Sequence, residues 1–257
     1  MELSMPIALV TGGASGLGLS VATRLASENN RVVILDIKSE EGNHAVQKLA
    51  SRGHAVTFKK VDVTDKDQIN ATVDEIYQQF GSIDFLVNAA GIINRVNAID
   101  VTEEHLEDIM TVNVNGTIYA CQAVFKYMSR QKKGSIVNFR SMLSHYGSKN
   151  LLPYAASKGA IAQVTKSLAV DWAEHHIRVN AVSPGYIETN LSHGATKDPD
   201  FKERILSRTP QGRFGKPEEV AAVVSFCLSD HASFVTGADI PIDGGILAGD
   251  PSLYPPA

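Results

Sequence analysis

Cysteine is nearly absent: Cys121 and Cys227 are the only two in 257 residues, too few for a disulfide framework or a zinc site. Both sit in apolar, helical-looking text, the setting of buried reduced thiols. A basic excess is also missing. With 24 Lys and Arg against 28 Asp and Glu, the net charge is −4, which argues against nucleic acid or an anionic membrane as the main partner. No apolar run reaches the length of a membrane span, and the first six residues, Met1 to Pro6, do not open a signal peptide. A cytoplasmic protein is the expectation. Histidines 145, 175 and 176 have no metal-binding spacing, so no metal is expected. What is present is ordinary for a folded chain: 44 % hydrophobic and 20 % charged residues, which excludes disorder.

Short β-branched runs alternate with helical patterns. Ile7 to Val10, Arg31 to Asp36, Ala55 to Val61 and Asp84 to Asn88 read as strands. Gly134 to Phe139, Ile177 to Ser183 and Asp239 to Ile242 follow. Gly16 to Asn29, Asp65 to Phe80 and Pro153 to His175 have helical period, as does a long stretch from about Thr102 to Arg130. Strands apolar on nearly every residue imply burial on both faces, and alternation with helices implies a parallel sheet with right-handed crossovers. The text from Tyr186 to Gly215 is the least regular, and reads as a mobile substrate lid or a long surface excursion. The proline-rich tail from Asp250 to Ala257 should be non-helical.

Thr11-Gly12-Gly13-Ala14-Ser15-Gly16-Leu17-Gly18 stands between a strand and a helix. Such a turn must bend sharply, admit a phosphate to the backbone and pack the helix on the strand, three tasks that need glycine. The helix N-terminus then offers N–H groups and a positive dipole end to a pyrophosphate. Any tight β-α turn can use glycine, so the loop alone does not decide. Asp36 ends the second strand 18 residues after Gly18. A carboxylate there can accept hydrogen bonds from both adenosine ribose hydroxyls and repels a 2′-phosphate. No Lys or Arg stands in the glycine loop, and Ile37 follows Asp36, which favours NAD over NADP; Lys38 nearby works the other way. The other reading of Asp36 is a helix cap.

Further motifs follow in order: Asp62-Val63, Asn88-Ala89-Ala90-Gly91, Asn113, Ser141, Tyr154-Ala155-Ala156-Ser157-Lys158, Pro184-Gly185 and Asp243-Gly244-Gly245. With the glycine loop they make the chain resemble the short-chain dehydrogenase/reductase family over nearly its whole length. That resemblance implies one α/β catalytic domain over residues 1–257, a doubly wound Rossmann-type fold whose seven-stranded parallel sheet is flanked by helices. It implies a nicotinamide cofactor cradled by Gly12, Ser15, Gly16, Leu17 and Gly18, with Asp36 and Ile37 at the adenosine ribose. Asp62 and Val63 would meet the adenine, and the turn of Asn88, Ala89 and Gly91 would lie near the adenosine ribose. Pro184 and Gly185 would border the nicotinamide, and Ile187 and Thr189 its carboxamide. Family members are homo-oligomers, tetramers more often than dimers. The resemblance puts the interface on the helices around Thr102 to Arg130 and Pro153 to His175.

Tyr154 and Lys158 are one helical turn apart on one face. A phenol titrating near 10 is a poor base at neutral pH, and a neighbouring ammonium is expected to lower that value. The pair can then move a proton to or from a substrate oxygen. The family likeness adds the nicotinamide ribose as a partner of Lys158. It also assigns Ser141 to the substrate oxygen and Asn113 to a helix bend with a water that relays protons to Lys158. Arg140 departs from the family, which has a small residue before the serine. Strand alternation points it away from Ser141, and a buried guanidinium must find a carboxylate, a phosphate or water.

The substrate pocket is expected from Ile92 to Val96, Met142 to Leu152 and the stretch after Gly185. Ser141, Leu143, His145, Tyr154, Tyr186 and Arg95 are the residues expected at the substrate, with Asn94, Tyr146, Ser148, Lys149 and Asn190 as further polar groups. This polar mix suits a hydroxylated small molecule, and Arg95 or Lys149 can pair with a carboxylate. The local text around Gly91, Ser141 and Pro184 resembles the gluconate 5-dehydrogenase and 2-deoxy-3-ketogluconate dehydrogenase branch. The expected activity is reversible hydride transfer between NAD and a secondary alcohol or ketone, a sugar acid, sugar or polyol. The alternatives are an NADP-dependent carbonyl or 3-oxoacyl reductase and a non-catalytic nucleotide-binding regulator.

Overall fold

The computed structural model describes residues 5–189 and 198–251. Seven strands form one parallel sheet in the order β3-β2-β1-β4-β5-β6-β7. They are β1 (Ile7–Thr11), β2 (Arg31–Asp36), β3 (Val56–Lys60), β4 (Phe85–Asn88), β5 (Gly134–Phe139), β6 (Ile177–Pro184) and β7 (Asp239–Ile242). The expected α/β Rossmann-type arrangement is therefore the observed one, with strand ends shifted by a residue or so.

Alternation along the strands builds two cores. Ile7 and Leu9 of β1 and Val33 and Leu35 of β2 enter one core; Ala8, Val10, Val32 and Ile34 enter the other. The first core is covered by α3 (Lys66–Phe80), α5 (Gly116–Gln131) and α6 (Leu152–Asp171) through Ile69, Val73, Val124 and Ala169. The second is covered by α1 (Gly16–Ser27), α2 (Ser39–Ala50) and α8 (Pro217–Leu228) through Val21, Leu25, Leu49 and Val224. Each such fully buried aliphatic side chain contributes about 1.5–3 kcal/mol by leaving water. Helix ends follow local chemistry. Asp65 caps α3 by accepting from the Gln68 N–H at 2.9 Å, and Gly81 closes that helix in the left-handed region at φ 81°.

Two expectations change here. The text from Thr102 to Arg130 is not one regular helix. It is α4 (Glu103–Met110), then a wider π turn over Thr111–Asn115, then α5. The irregular text from Tyr186 to Gly215 contains α7 (Pro199–Arg208), with Asp198 accepting from the N–H groups of Asp200 and Phe201 at 3.0 and 3.2 Å and Pro199 in the first turn. Asp-Pro is a helix-start signal, hidden by the surrounding prolines and glycines. Asn190 and the centre of the expected lid, 190–197, lie outside the described residues, as do 252–257 of the tail.

Candidate active site

All seven strands run the same way, so their carboxyl ends share one rim. The motif residues gather on it. After β1, Gly12 and Gly16 take positive φ values of 65° and 54°. A Cβ on Gly12 would stand 2.7 Å from the Ala90 backbone, and one on Gly18 would stand 2.2 Å from the Gly12 carbonyl oxygen. Glycine is required at both places by space. Ser15 precedes α1 in an extended conformation without a side-chain cap, and the first turn of α1 holds no acidic residue. That helix end keeps its N–H groups and dipole for an anion.

Asp36 is buried at the end of β2. Its carboxylate accepts from the Ala14 N–H at 3.0 Å and the Lys38 N–H at 3.1 Å, tying the glycine loop to β2. A carboxylate can accept about four hydrogen bonds, so acceptor capacity remains. Asp36 is thus a local anchor as well as a candidate ribose ligand, and Ile37 beside it is exposed. After β3, Asp62 accepts from the N–H and hydroxyl of Thr64 at 2.9 and 2.7 Å, a turn that presents Val63 against Gly116. The Asn88 side chain is turned inward. It donates to Asn138 Oδ1 at 2.9 Å and to Cys121 Sγ at 3.2 Å, joining β4 to β5. Ala89 and Ala90 bring the backbone of that turn to Gly12, so any part the Asn88 turn takes in cofactor binding falls to its backbone.

Asn113 lies in the π turn. Its amide accepts from the Ile92 N–H at 2.8 Å, donates to the Ile92 carbonyl at 3.0 Å and donates to Ser157 Oγ at 3.0 Å. The expected bend is there, and the side chain is committed to holding the loop after β4. Gly91 separates Asn113 from Lys158: a Cβ on it would lie 3.1 Å from Asn113 Oδ1 and 3.5 Å from Lys158 Nζ.

Lys158 and Tyr154 stand near the start of α6, where Pro153 lies in the first turn. Lys158 is buried and donates to the Phe139 carbonyl at 2.9 Å; its Nζ is 5.7 Å from the Tyr154 ring centre. Burial pushes the Lys158 ammonium down to about 8. Burial also pushes the Tyr154 hydroxyl above its ordinary value, opposed by a hydrogen bond with the Ser141 side chain. The expected lowering of Tyr154 by Lys158 is therefore overturned. Desolvation disfavours both charged forms, and Lys158 is not among the groups that shift Tyr154.

This has a measurable consequence. A lysine depressed in the folded state binds fewer protons there than in the unfolded state between about pH 8 and its ordinary value of 10.5. Stability therefore rises with pH across that window. Lys158→Met should be more stable than the wild type at pH 7 in chemical denaturation, and the gap should close as pH rises through the window. A gap that does not vary with pH removes the buried charge as its cause.

Ser141 follows β5 and accepts from the Leu143 N–H at 3.2 Å. Leu143 is buried in a small cluster with Met142, Leu151 and Ile246, against which Tyr146, Tyr154 and Tyr186 pack. Arg140 finds a carboxylate. It pairs with Asp239 of β7, which also receives the Ser183 hydroxyl at 2.8 and 3.0 Å and has His145 Nε2 at 2.8 Å. His145, expected at the substrate, bonds Asp239 and stays about a third exposed. Asp239 is a residue that reading the motifs missed, since nothing near it in the chain announces the pairing. The Arg140 Nε is buried with no hydrogen-bond partner. Gly185 lies against Asp243, where a Cβ would stand 2.7 Å from its Cα. Ile187 is buried and bridges to Gly215, bordering a cavity of about 330 Å³ shared with Tyr186, Arg213 and Asp243. Arg95 and Lys149 are exposed.

Comparisons with known proteins give the chain its family. Residues 12–247 match the family model described as enoyl-(acyl carrier protein) reductase. A 3-oxoacyl-[acyl-carrier-protein] reductase of Thermotoga maritima is 40 % identical over 96 % of this chain and 100 % of its own length. The chain belongs to the short-chain dehydrogenase/reductase family. The 5-keto-D-gluconate 5-reductase of Escherichia coli K12 is 36 % identical, over 93 % of this chain and 94 % of its own. A crystal structure of a gluconate 5-dehydrogenase from Burkholderia cenocepacia J2315, in complex with NADP and tartrate, superposes with a TM-score of 0.92. It is 34 % identical, covering 96 % of this chain and 97 % of that one. This short-chain dehydrogenase/reductase is accordingly a nicotinamide-dependent oxidoreductase of alcohols and ketones. Its own residues fit that cofactor: Gly12 and Gly18 have no room for a Cβ, the start of α1 is free of acidic groups, and Asp36 keeps acceptor capacity. No described helix is long and apolar enough to cross a membrane.

Proposed function

We propose that this enzyme is an NAD-dependent dehydrogenase/reductase that interconverts a secondary hydroxyl and its ketone on a sugar acid, sugar or polyol, acting as one catalytic domain. The observation that carries the chemistry is the gathering of buried Ser141, Tyr154 and buried Lys158 at one rim, with Lys158 Nζ 5.7 Å from the Tyr154 ring centre. Gly12, Ser15, Gly16, Leu17 and Gly18 would hold the cofactor pyrophosphate, and Asp36 the adenosine ribose. Asp62 and Val63 would border the adenine, Pro184, Gly185, Ile187 and Thr189 the nicotinamide, and Lys158 its ribose. When bound, the nicotinamide supplies the acceptor or donor of the hydride. Ser141 holds the substrate oxygen by a hydrogen bond that strengthens as charge develops there. Tyr154, protonated at neutral pH, donates its proton to that oxygen in ketone reduction and takes it back in alcohol oxidation. Asn113 fixes the loop at Ile92 and so the wall next to Lys158.

The sugar-acid reading is supported by the polar residues around the pocket and by what the similar gluconate enzymes are named for. Absorbance at the reduced-nicotinamide band tests it, with NAD or NADP and gluconate, 5-ketogluconate, polyols and simple secondary alcohols. Turnover of simple alcohols alone would refute it. The runner-up, an NADP-dependent carbonyl or 3-oxoacyl reductase, draws on the Thermotoga relative and on the NADP in the Burkholderia structure. Asp36 separates the two. Its charge repels a 2′-phosphate, so Asp36→Ala should raise the NADP-to-NAD ratio of kcat/KM by about 10-fold or more, a tenfold change corresponding to about 1.4 kcal/mol. A wild type that already prefers NADP would overturn the NAD assignment. Exposed Val170, Phe226 and Phe234 support assembly with further copies, a homotetramer before a dimer. The two buried free cysteines go with a reducing, cytoplasmic setting.

A further inference from the structure

Helix α7 brings to the pocket a charge that the mechanism above does not use. Arg208 closes that helix, and its guanidinium lies 5.3 Å from the centre of the Tyr146 ring. Tyr146, Tyr154 and Tyr186 pack against one apolar cluster, so Arg208 lies over a ring that shares this cluster with Tyr154. Arg95, from the loop after β4, acts together with Arg208 on the Tyr186 hydroxyl. Arg95 and Arg208 are both exposed. Neither has a hydrogen bond or ion pair among the described residues. Asp243 also faces Tyr146, yet its two oxygens receive the N–H groups of Gly245 and Leu247 at 2.9 and 2.8 Å. Those two bonds hold its own turn, while its charge stays close to Tyr146.

We propose that Arg208 binds the carboxylate of the substrate and sets the preference for acids over neutral polyols. This rests on the sugar-acid reading and deepens it. A guanidinium stacked on an aromatic face keeps its N–H edge free, and that edge matches a carboxylate with two parallel hydrogen bonds. The Tyr146 ring holds the fork in place before the anion arrives, which lowers the ordering cost of binding.

The test compares tartrate with threitol, which carries hydroxymethyl groups where tartrate has carboxylates. Each is titrated calorimetrically into the cofactor-saturated enzyme, and each is assayed as an inhibitor. The wild type should bind tartrate more tightly than threitol. Arg208→Gln should weaken tartrate by about 10-fold or more and leave threitol within about twofold, as expected for loss of a charge-assisted contact. Arg208→Lys should fall between them. Unchanged cofactor affinity in both variants shows that the fold is intact. Parallel weakening of tartrate and threitol would make Arg208 a mere support for α7 and overturn the proposal. So would a wild type that does not favour tartrate. Arg208-dependent tartrate binding without turnover of any sugar acid would instead remove the substrate reading and keep the carboxylate site.

Discussion

Tyr154→Phe is expected to lower kcat by about 10³ while leaving the cofactor dissociation constant unchanged, since positioned acid–base groups contribute roughly 10²–10⁴. The substitution removes one oxygen and keeps the ring that packs with Leu143 and Tyr146, so the pocket wall should hold. Single-turnover kinetics with a ketone and with the matching alcohol would check it. The two directions should respond differently to pH in the wild type. Burial holds the Tyr154 hydroxyl protonated beyond its ordinary value, so reduction has its acid in place at neutral pH. Oxidation needs the phenolate and should accelerate as the solution becomes alkaline. Full activity of the phenylalanine variant would exclude Tyr154 as the proton carrier.

Asp239→Ala should cost about 3–5 kcal/mol of stability, the usual cost of stripping the partner from a buried charge. Arg140 is 7 % exposed and Asp239 14 %, so water cannot replace the lost carboxylate easily. Ser183 and His145 lose their acceptor in the same step. Arg140→Ser should cost much less, because Asp239 keeps the Ser183 hydroxyl and the His145 ring. The double variant Arg140→Ser, Asp239→Ala should recover most of the loss of Asp239→Ala. Urea unfolding of the four proteins gives the coupling directly. A loss below about 1 kcal/mol in Asp239→Ala would show that Arg140 reaches water after all.

Much of the rim is legible in the chain. Gly12, Gly18 and Asp36 announce themselves because a tight turn and a strand end leave few other residues that would serve. Tyr154 and Lys158 share a helix face by their spacing alone. What stays hidden depends on distance in sequence or on burial. Asp239 meets Arg140 from 99 residues away, and β7 has no local text that marks it as a counter-ion. The contact of His145 with Asp239 is hidden for the same reason. The upward shift of Tyr154 follows from how tightly the rim is packed, which periodicity does not report. Helix α7 escapes notice because its start signal lies among residues that elsewhere mark loops.

The pairing of Arg140 with Asp239 also orders events during synthesis. Arg140 leaves the ribosome at the end of β5, while its carboxylate arrives only with the last strand of the sheet. A chain interrupted before that point holds an unneutralised guanidinium beside Ser141 and leaves the edge of β6 open. The neutralisation of Arg140 by Asp239 is thus completed only with the last strand.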